Sequence, residues 1–156
     1  MNRGKKFLHK INILALAVIG LAAWPVASFS KAATGENNQV VVQVSLSTQS
    51  MRVYQNNSAS YEWPVSTARP GKVTPKGSWK AKWLSRHHKS SRYNNAPMPY
   101  SIFYNGNFAV HGTDQIDRLG SPASAGCIRL HPNNAAILFQ LVQEVGLQNT
   151  IIKVSD

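Results

Sequence analysis

Scarcity marks this chain of 156 residues: it has one cysteine, six acidic side chains and no apolar run of membrane-spanning length. A single thiol excludes an internal disulfide. The apolar stretch from Ile11 to Trp24, broken by Asn12 and Gly20, falls short of the roughly 18 to 20 residues that a span needs. Arg3, Lys5, Lys6 and Lys10 precede it, which is the order of a signal peptide over residues 1–33. Val26-Ala27-Ser28 and Ser30-Lys31-Ala32 offer small-residue cleavage sites, and an uncleaved N-terminal anchor is the alternative. No cysteine lies near the cleavage region, so a lipoprotein anchor is set aside. Either way the rest of the chain is expected outside the cytoplasm.

Acidic residues are absent altogether between Glu62 and Asp114, where Lys72, Lys76, Lys80, Lys82, Arg86, Lys89 and Arg92 all fall. The formal charge of +11 drops to about +6 once the five basic residues of the leader are removed. No nucleic-acid module is visible and an exported protein rarely meets nucleic acid, so that class is set aside. A solvated face, or attraction to an anionic polymer or membrane surface, are the two remaining readings. The membrane is otherwise a partner only through the N-terminal segment.

Residues 34–156 suffice for one domain with one modest core. Most of it reads as strands. Val40 to Leu46 begins as an apolar run and then alternates. Met51–Gln55 and Tyr61–Val65 flank Asn56-Asn57-Ser58, a turn signal. Ser78–Leu84 alternates Trp79, Ala81 and Trp83 with Lys80 and Lys82, as a single strand with a buried aromatic face would. Ser101–Tyr104 and Phe108–His111 form a hairpin around Asn105-Gly106, with His111 at a strand end. One helix is expected from Pro132, with Ala135, Leu138, Phe139, Leu141, Val142 and Val145 as its apolar face and Gly146 as its terminator. Ile151–Val154 closes the chain as a strand. Arg86 to Pro99 shows neither period and reads as a long irregular connection, either a binding loop or lid or a plain surface loop. The fold class is mostly β with one packed C-terminal helix.

A lone thiol facing an oxidising compartment is a liability unless it has work to do. Cys127 as nucleophile, with His111 as the base that makes its thiolate, is the simplest such work. Gly126 lets the backbone approach a substrate closely, and the N–H groups of Gly126 and Cys127 are candidate oxyanion donors. Arg129 falls on the same face as Cys127 if the segment is extended, where it can lower the thiol pKa or hold a substrate carboxylate. Zinc competes: Cys127 and His131 have C-x3-H spacing, and His111 or Asp114 offers a further ligand. Against it, structural zinc sites favour more thiolates, and Pro132 makes His131 look like helix-entry chemistry.

The run His111-Gly112-Thr113, then Leu119-Gly120-Ser121-Pro122-Ala123-Ser124-Ala125-Gly126-Cys127-Ile128-Arg129-Leu130, resembles the catalytic signature of the L,D-transpeptidases, the YkuD-type domain. Val65-Ser66-Thr67, Thr74-Pro75-Lys76-Gly77 and Met98-Pro99-Tyr100 are similar to further family elements. The resemblance runs from about Val40 to Val154 and implies a β-sandwich-like fold and a cell-wall enzyme that needs no cofactor. It implies that Cys127 attacks the bond after the third residue of a peptidoglycan tetrapeptide stem, usually meso-diaminopimelate, and releases D-alanine. An amine of another stem or of a wall-anchored protein then takes the acyl group. By position, Cys127 is the nucleophile, His111 its base and Gly112 the carbonyl that orients the imidazole. Gly126, Arg129, Ser124 and Tyr100 are implied on the oxyanion and substrate side. The family often has histidine where this chain has Ala125, and glycine where it has Ala68. Two other outcomes stay open: water as acceptor, giving a carboxypeptidase or wall-protein-releasing amidase, and a non-catalytic module that grips anionic wall polymer.

Overall fold

The computed structural model describes residues 38–156, so the expected export segment lies outside the described residues. Among the described residues, nine strands form two sheets that pack with one α-helix. The first sheet has the order β3-β2-β1-β9-β4, with β1 Val40–Ser45, β2 Ser50–Gln55, β3 Ser58–Pro64, β4 Gly77–Lys80 and β9 Thr150–Ser155. The second has the order β5-β6-β7-β8, with β5 Trp83–Ser90, β6 Ala96–Asn105, β7 Phe108–Gly112 and β8 Ile128–Leu130. Each sheet is antiparallel except for one parallel pair, β1 with β9 and β7 with β8. Helix α1, Pro132–Val145, carries the chain from β8 to β9.

The expected β-sandwich-like architecture is what forms. Val40, Val42 and Val44 of β1 join Ile102, Val110, Ile128 and Leu130 of the second sheet in one core, with Ala135, Leu138, Phe139 and Val142 of α1. Each of those β1 valines is essentially dry, so each contributes about 2 kcal/mol of apolar burial. The helix starts as its sequence requires. Pro132 takes the first turn, the His131 ring nitrogen Nδ1 accepts from the Asn133 N–H at 3.2 Å, and Gly146 ends the helix at φ 86°. In the first hairpin Asn56 and Asn57 both adopt positive φ, the conformation of a two-residue type I′ turn.

Three details depart from expectation. The second hairpin turns one residue later: Asn105 pairs with Phe108, and the loop is Gly106-Asn107, with only Gly106 at positive φ. The Ser78–Leu84 strand breaks at Ala81-Lys82. Its halves, β4 and β5, join different sheets, and Trp83 is 44 % exposed rather than buried.

The segment expected to be irregular, Arg86 to Pro99, is instead most of the β5–β6 hairpin, closed by a turn with Asn94 and Asn95 at positive φ. Its period is invisible because β5 is an edge strand on which Ser90 alone is buried. Pro97 and Pro99 are tolerated because β7 does not extend opposite them, so no ladder partner waits for their missing N–H.

Candidate active site

The loop before β8 is a hydrogen-bonded cradle built from several parts of the sequence. The buried Ser124 hydroxyl accepts from the Gly126 N–H at 3.0 Å and donates to the Cys127 carbonyl at 2.7 Å. Gly126 sits at φ 135°, where an added Cβ would lie 2.7 Å from the Phe108 ring and 2.9 Å from the Val73 carbonyl oxygen. Only glycine fits there.

The Gly126 carbonyl accepts from Thr74 Oγ1 at 2.8 Å, and that hydroxyl accepts from the Ala68 N–H at 3.0 Å. Ser66 pairs antiparallel with Arg129, and Ala68 pairs with Ser124. The Val65-Ser66-Thr67 and Thr74-Pro75 elements are therefore the frame that holds the cysteine loop. Ala68 has no positive φ, so glycine is not needed at this position.

One frame residue has no local sequence signal. The buried Gln49 amide accepts from the Thr67 N–H at 2.9 Å and donates to Thr67 Oγ1 at 2.7 Å. It fixes the segment that borders the loop, yet lies 18 residues away in an unrelated turn.

His111 is set by β7. Its Nδ1–H donates to the Gly112 carbonyl at 2.7 Å, which fixes the tautomer and leaves Nε2 as the lone-pair nitrogen. Gly112 is confined in turn, since a Cβ there would stand 3.1 Å from the Pro99 ring and 3.2 Å from Pro132 Cα. Val110 pairs with Ile128 and His111 with Arg129. Residues directly opposite in a ladder project to the same face, as do residues two apart. The register thus aligns His111 and Arg129 with Cys127, while Val110, Ile128 and Leu130 fill the core.

Both titrating groups rest uncharged. Burial pulls the His111 imidazolium down to about 4, partly opposed by the Gly112 carbonyl and reinforced by the Arg129 guanidinium. Burial raises the Cys127 thiol above its ordinary range, with a backbone hydrogen bond from Ala109 and the Arg129 guanidinium pulling the other way. The thiol donates to the Asn107 carbonyl, at 3.8 Å. The resting pair is thus a neutral imidazole and a neutral thiol, which protects the sulfur from adventitious oxidation.

Arg129 is half-buried and donates to Gln115 Oε1 at 2.9 Å, a neutral amide, so its charge stays available to an anion. The Gly126 N–H is already held by Ser124, whereas the Cys127 N–H makes no hydrogen bond among the described residues. Of the two oxyanion donors expected, only the Cys127 N–H is free.

Tyr100 is not gathered with these groups. Its ring meets Phe139 of α1 edge-on at 5.8 Å, and the Arg86 guanidinium lies 5.5 Å from its centroid. His131 is engaged as the helix cap described above. No cluster of three or more His, Cys, Asp or Glu suited to a metal forms among the described residues.

A two-sheet β fold with His111 on β7 and Cys127 in the glycine cradle that leads into the adjacent parallel strand β8 defines a candidate acyl-transfer site. The family model of the L,D-transpeptidase catalytic domain, YkuD, matches residues 39–153, and the chain belongs to that family. Among solved structures it is similar to an L,D-transpeptidase from Mycobacterium smegmatis, at 20 % identity and TM-score 0.67 over 76 % of this chain and 59 % of that one. An L,D-transpeptidase from Stackebrandtia nassauensis matches at 24 % identity and TM-score 0.65, over 76 % and 56 %. L,D-transpeptidase 3 from Mycobacterium tuberculosis, in complex with a faropenem-derived adduct, matches at 19 % and 0.65, over 75 % and 60 %. The chain thus spans less than two thirds of the length of these proteins. Comparison with curated protein sequences finds no match.

Proposed function

We propose that the protein is a peptidoglycan L,D-transpeptidase acting through a Cys127 thioester. The Cys127 side chain turns from the Asn107 carbonyl toward His111, whose Nε2 takes the thiol proton as sulfur attacks the carbonyl carbon of the third stem residue. The Cys127 N–H stabilises the oxyanion, and Arg129 holds a carboxylate of the donor stem. Collapse breaks the bond to D-alanine, whose amine takes the proton from His111. The burial that makes this imidazole a weak base makes its conjugate acid a ready donor to that leaving amine. An acceptor amine then attacks the thioester, His111 takes its proton, and the thiolate leaves and is reprotonated. The acceptor is the side-chain amine of a second stem or the lysine of a wall-anchored protein.

The observation that carries this reading is the fixed His111 tautomer, held by Gly112 at 2.7 Å with Nε2 left free. Export fits it as well, because the stem substrate lies outside the cytoplasm. The basic residues between Lys72 and Arg92 are all exposed, which suits an anionic wall.

The test is to incubate the purified protein, as wild type and as Cys127→Ala, with tetrapeptide muropeptides and identify the products by mass spectrometry. The expected result is Cys127-dependent loss of D-alanine with 3→3 linked dimers. Tripeptide monomers in place of dimers would make water the acceptor. No D-alanine release by the wild type would overturn the reading and favour a wall-binding role. Faropenem, seen as an adduct in one structural neighbour, should acylate Cys127 in the wild type and leave Cys127→Ala unmodified.

A further inference from the structure

Beside the thiol, on the same sheet face, lies an aromatic surface that the acyl-transfer chemistry does not use. Trp83 of β5 stacks on Phe103 of β6, with centroids 3.7 Å apart and ring planes 2° from parallel. His88 stands edge-on to both, 5.6 Å from Trp83 and 4.9 Å from Phe103. Phe103, Met98 and Ala109 form the small cluster against which Cys127 itself packs. Phe103 covers one face of the indole, and with Trp83 44 % exposed the other face is open to solvent.

This grouping needs a break in strand alternation. Met98 and Phe103 are five residues apart, as are His88 and Trp83, so regular strands would send each pair to opposite faces. Tyr100, at φ 56° inside β6, breaks the alternation between them, and Ser101 Oγ staples the kink by donating to the Met98 carbonyl at 2.8 Å. A left-handed tyrosine inside a strand costs on the order of 1–3 kcal/mol and marks a place where geometry is imposed. What it imposes here is the gathering of His88 and Met98 with Trp83 and Phe103.

We propose that the open indole face of Trp83 is a pyranose subsite, which binds the glycan sugar to which the donor stem is attached. The inference rests on the reading of the protein as a peptidoglycan enzyme. A flat apolar ring bordered by an imidazole matches a pyranose, which has one C–H face and equatorial polar groups at its rim. Distance supports the same occupant. Trp83 pairs with Phe103, Phe103 with Ala109, and the β7–β8 register sets Cys127 opposite Ala109. Three inter-strand spacings separate Trp83 from Cys127, about 14 Å. Three extended stem residues span about 10 Å, and the lactyl ether that joins the stem to its sugar covers the remainder.

Two experiments test the subsite. In the first, donor kinetics are compared for a disaccharide-tetrapeptide and the same tetrapeptide without sugar, using wild type, Trp83→Ala and Trp83→Phe. Trp83→Ala should raise KM for the sugar-bearing donor roughly five- to ten-fold, the worth of one aromatic stacking contact. KM for the free tetrapeptide and both kcat values should stay unchanged, and Trp83→Phe, which keeps a flat ring on Phe103, should lose less. Equal losses for the two donors, or none for either, would overturn the proposal.

The second experiment needs no turnover, so it separates this proposal from the proposed reaction. The N-acetylglucosaminyl–N-acetylmuramic acid disaccharide is titrated into Cys127→Ala while the Trp83 indole N–H resonance is followed. A saturable shift supports the subsite even if no donor is turned over. An unmoved resonance overturns it even if the transpeptidase reaction is established.

Discussion

Ser124→Ala tests whether the cysteine loop is held by the hydroxyl that bridges it. Ser124 is 1 % exposed, and its Oγ receives the Gly126 N–H and donates to the Cys127 carbonyl. Alanine removes both hydrogen bonds and leaves a buried donor and acceptor unsatisfied, at about 1–3 kcal/mol each. Part of this is recovered as the loop relaxes, so the net loss is on the order of 3 kcal/mol. For a domain of this size that lowers Tm by about 12 °C. The released Gly126 N–H no longer positions the thiol, and acylation should slow by about 100-fold, as displaced catalytic groups do. Thermal unfolding followed by near-UV circular dichroism gives the first quantity, and the rate of faropenem adduct formation on Cys127 gives the second. A variant with wild-type Tm and wild-type acylation would refute the cradle. A lowered Tm with unchanged acylation would reduce Ser124 to a stability residue.

The depressed His111 pKa makes stability depend on pH in a defined direction. Its folded value, about 4, lies below the ordinary 6.5, so the unfolded state binds more protons between them. The stabilisation is complete above pH 6.5 and is lost as pH falls toward 4, by about 3 kcal/mol in all. Urea titrations across that window should show the loss, and His111→Gln should flatten it. The acid limb of the acylation rate should likewise fall near pH 4 rather than near 6.5, measured as adduct formation against pH. Gly126→Ala and Gly106→Ala both place a Cβ at positive φ, but only Gly126 is also crowded by Phe108 and Val73. Gly106→Ala should cost about 1 kcal/mol in urea unfolding, and Gly126→Ala at least 3 kcal/mol or the fold.

How much of this was legible in the sequence depended on whether a local signal existed. Asn56-Asn57 and Pro132 with Gly146 carry their own backbone chemistry, and each marks the element found there. The β5–β6 hairpin was hidden because an exposed edge strand has no hydrophobic period to read. The single strand expected across Ser78–Leu84 failed because its alternation continues through a change of sheet. At the site, the types and spacing of Cys127 and His111 were visible, but their hydrogen bonds were not. No sequence pattern reveals that Ser124 consumes the Gly126 N–H, or that Gln49 reaches Thr67. Nor does one reveal that Tyr100 turns its ring toward Phe139 while its backbone redirects the aromatic face.

The central claim is that His111 drives formation of an acyl-enzyme on Cys127. Its most direct test is intact-protein mass spectrometry of wild type, His111→Ala and Cys127→Ala after brief exposure to a tetrapeptide donor without acceptor. The wild type should gain the mass of the tripeptide acyl group on the peptide containing Cys127, and neither variant should gain it. D-alanine release with no adduct in the wild type, or an adduct that persists in Cys127→Ala, would contradict that claim.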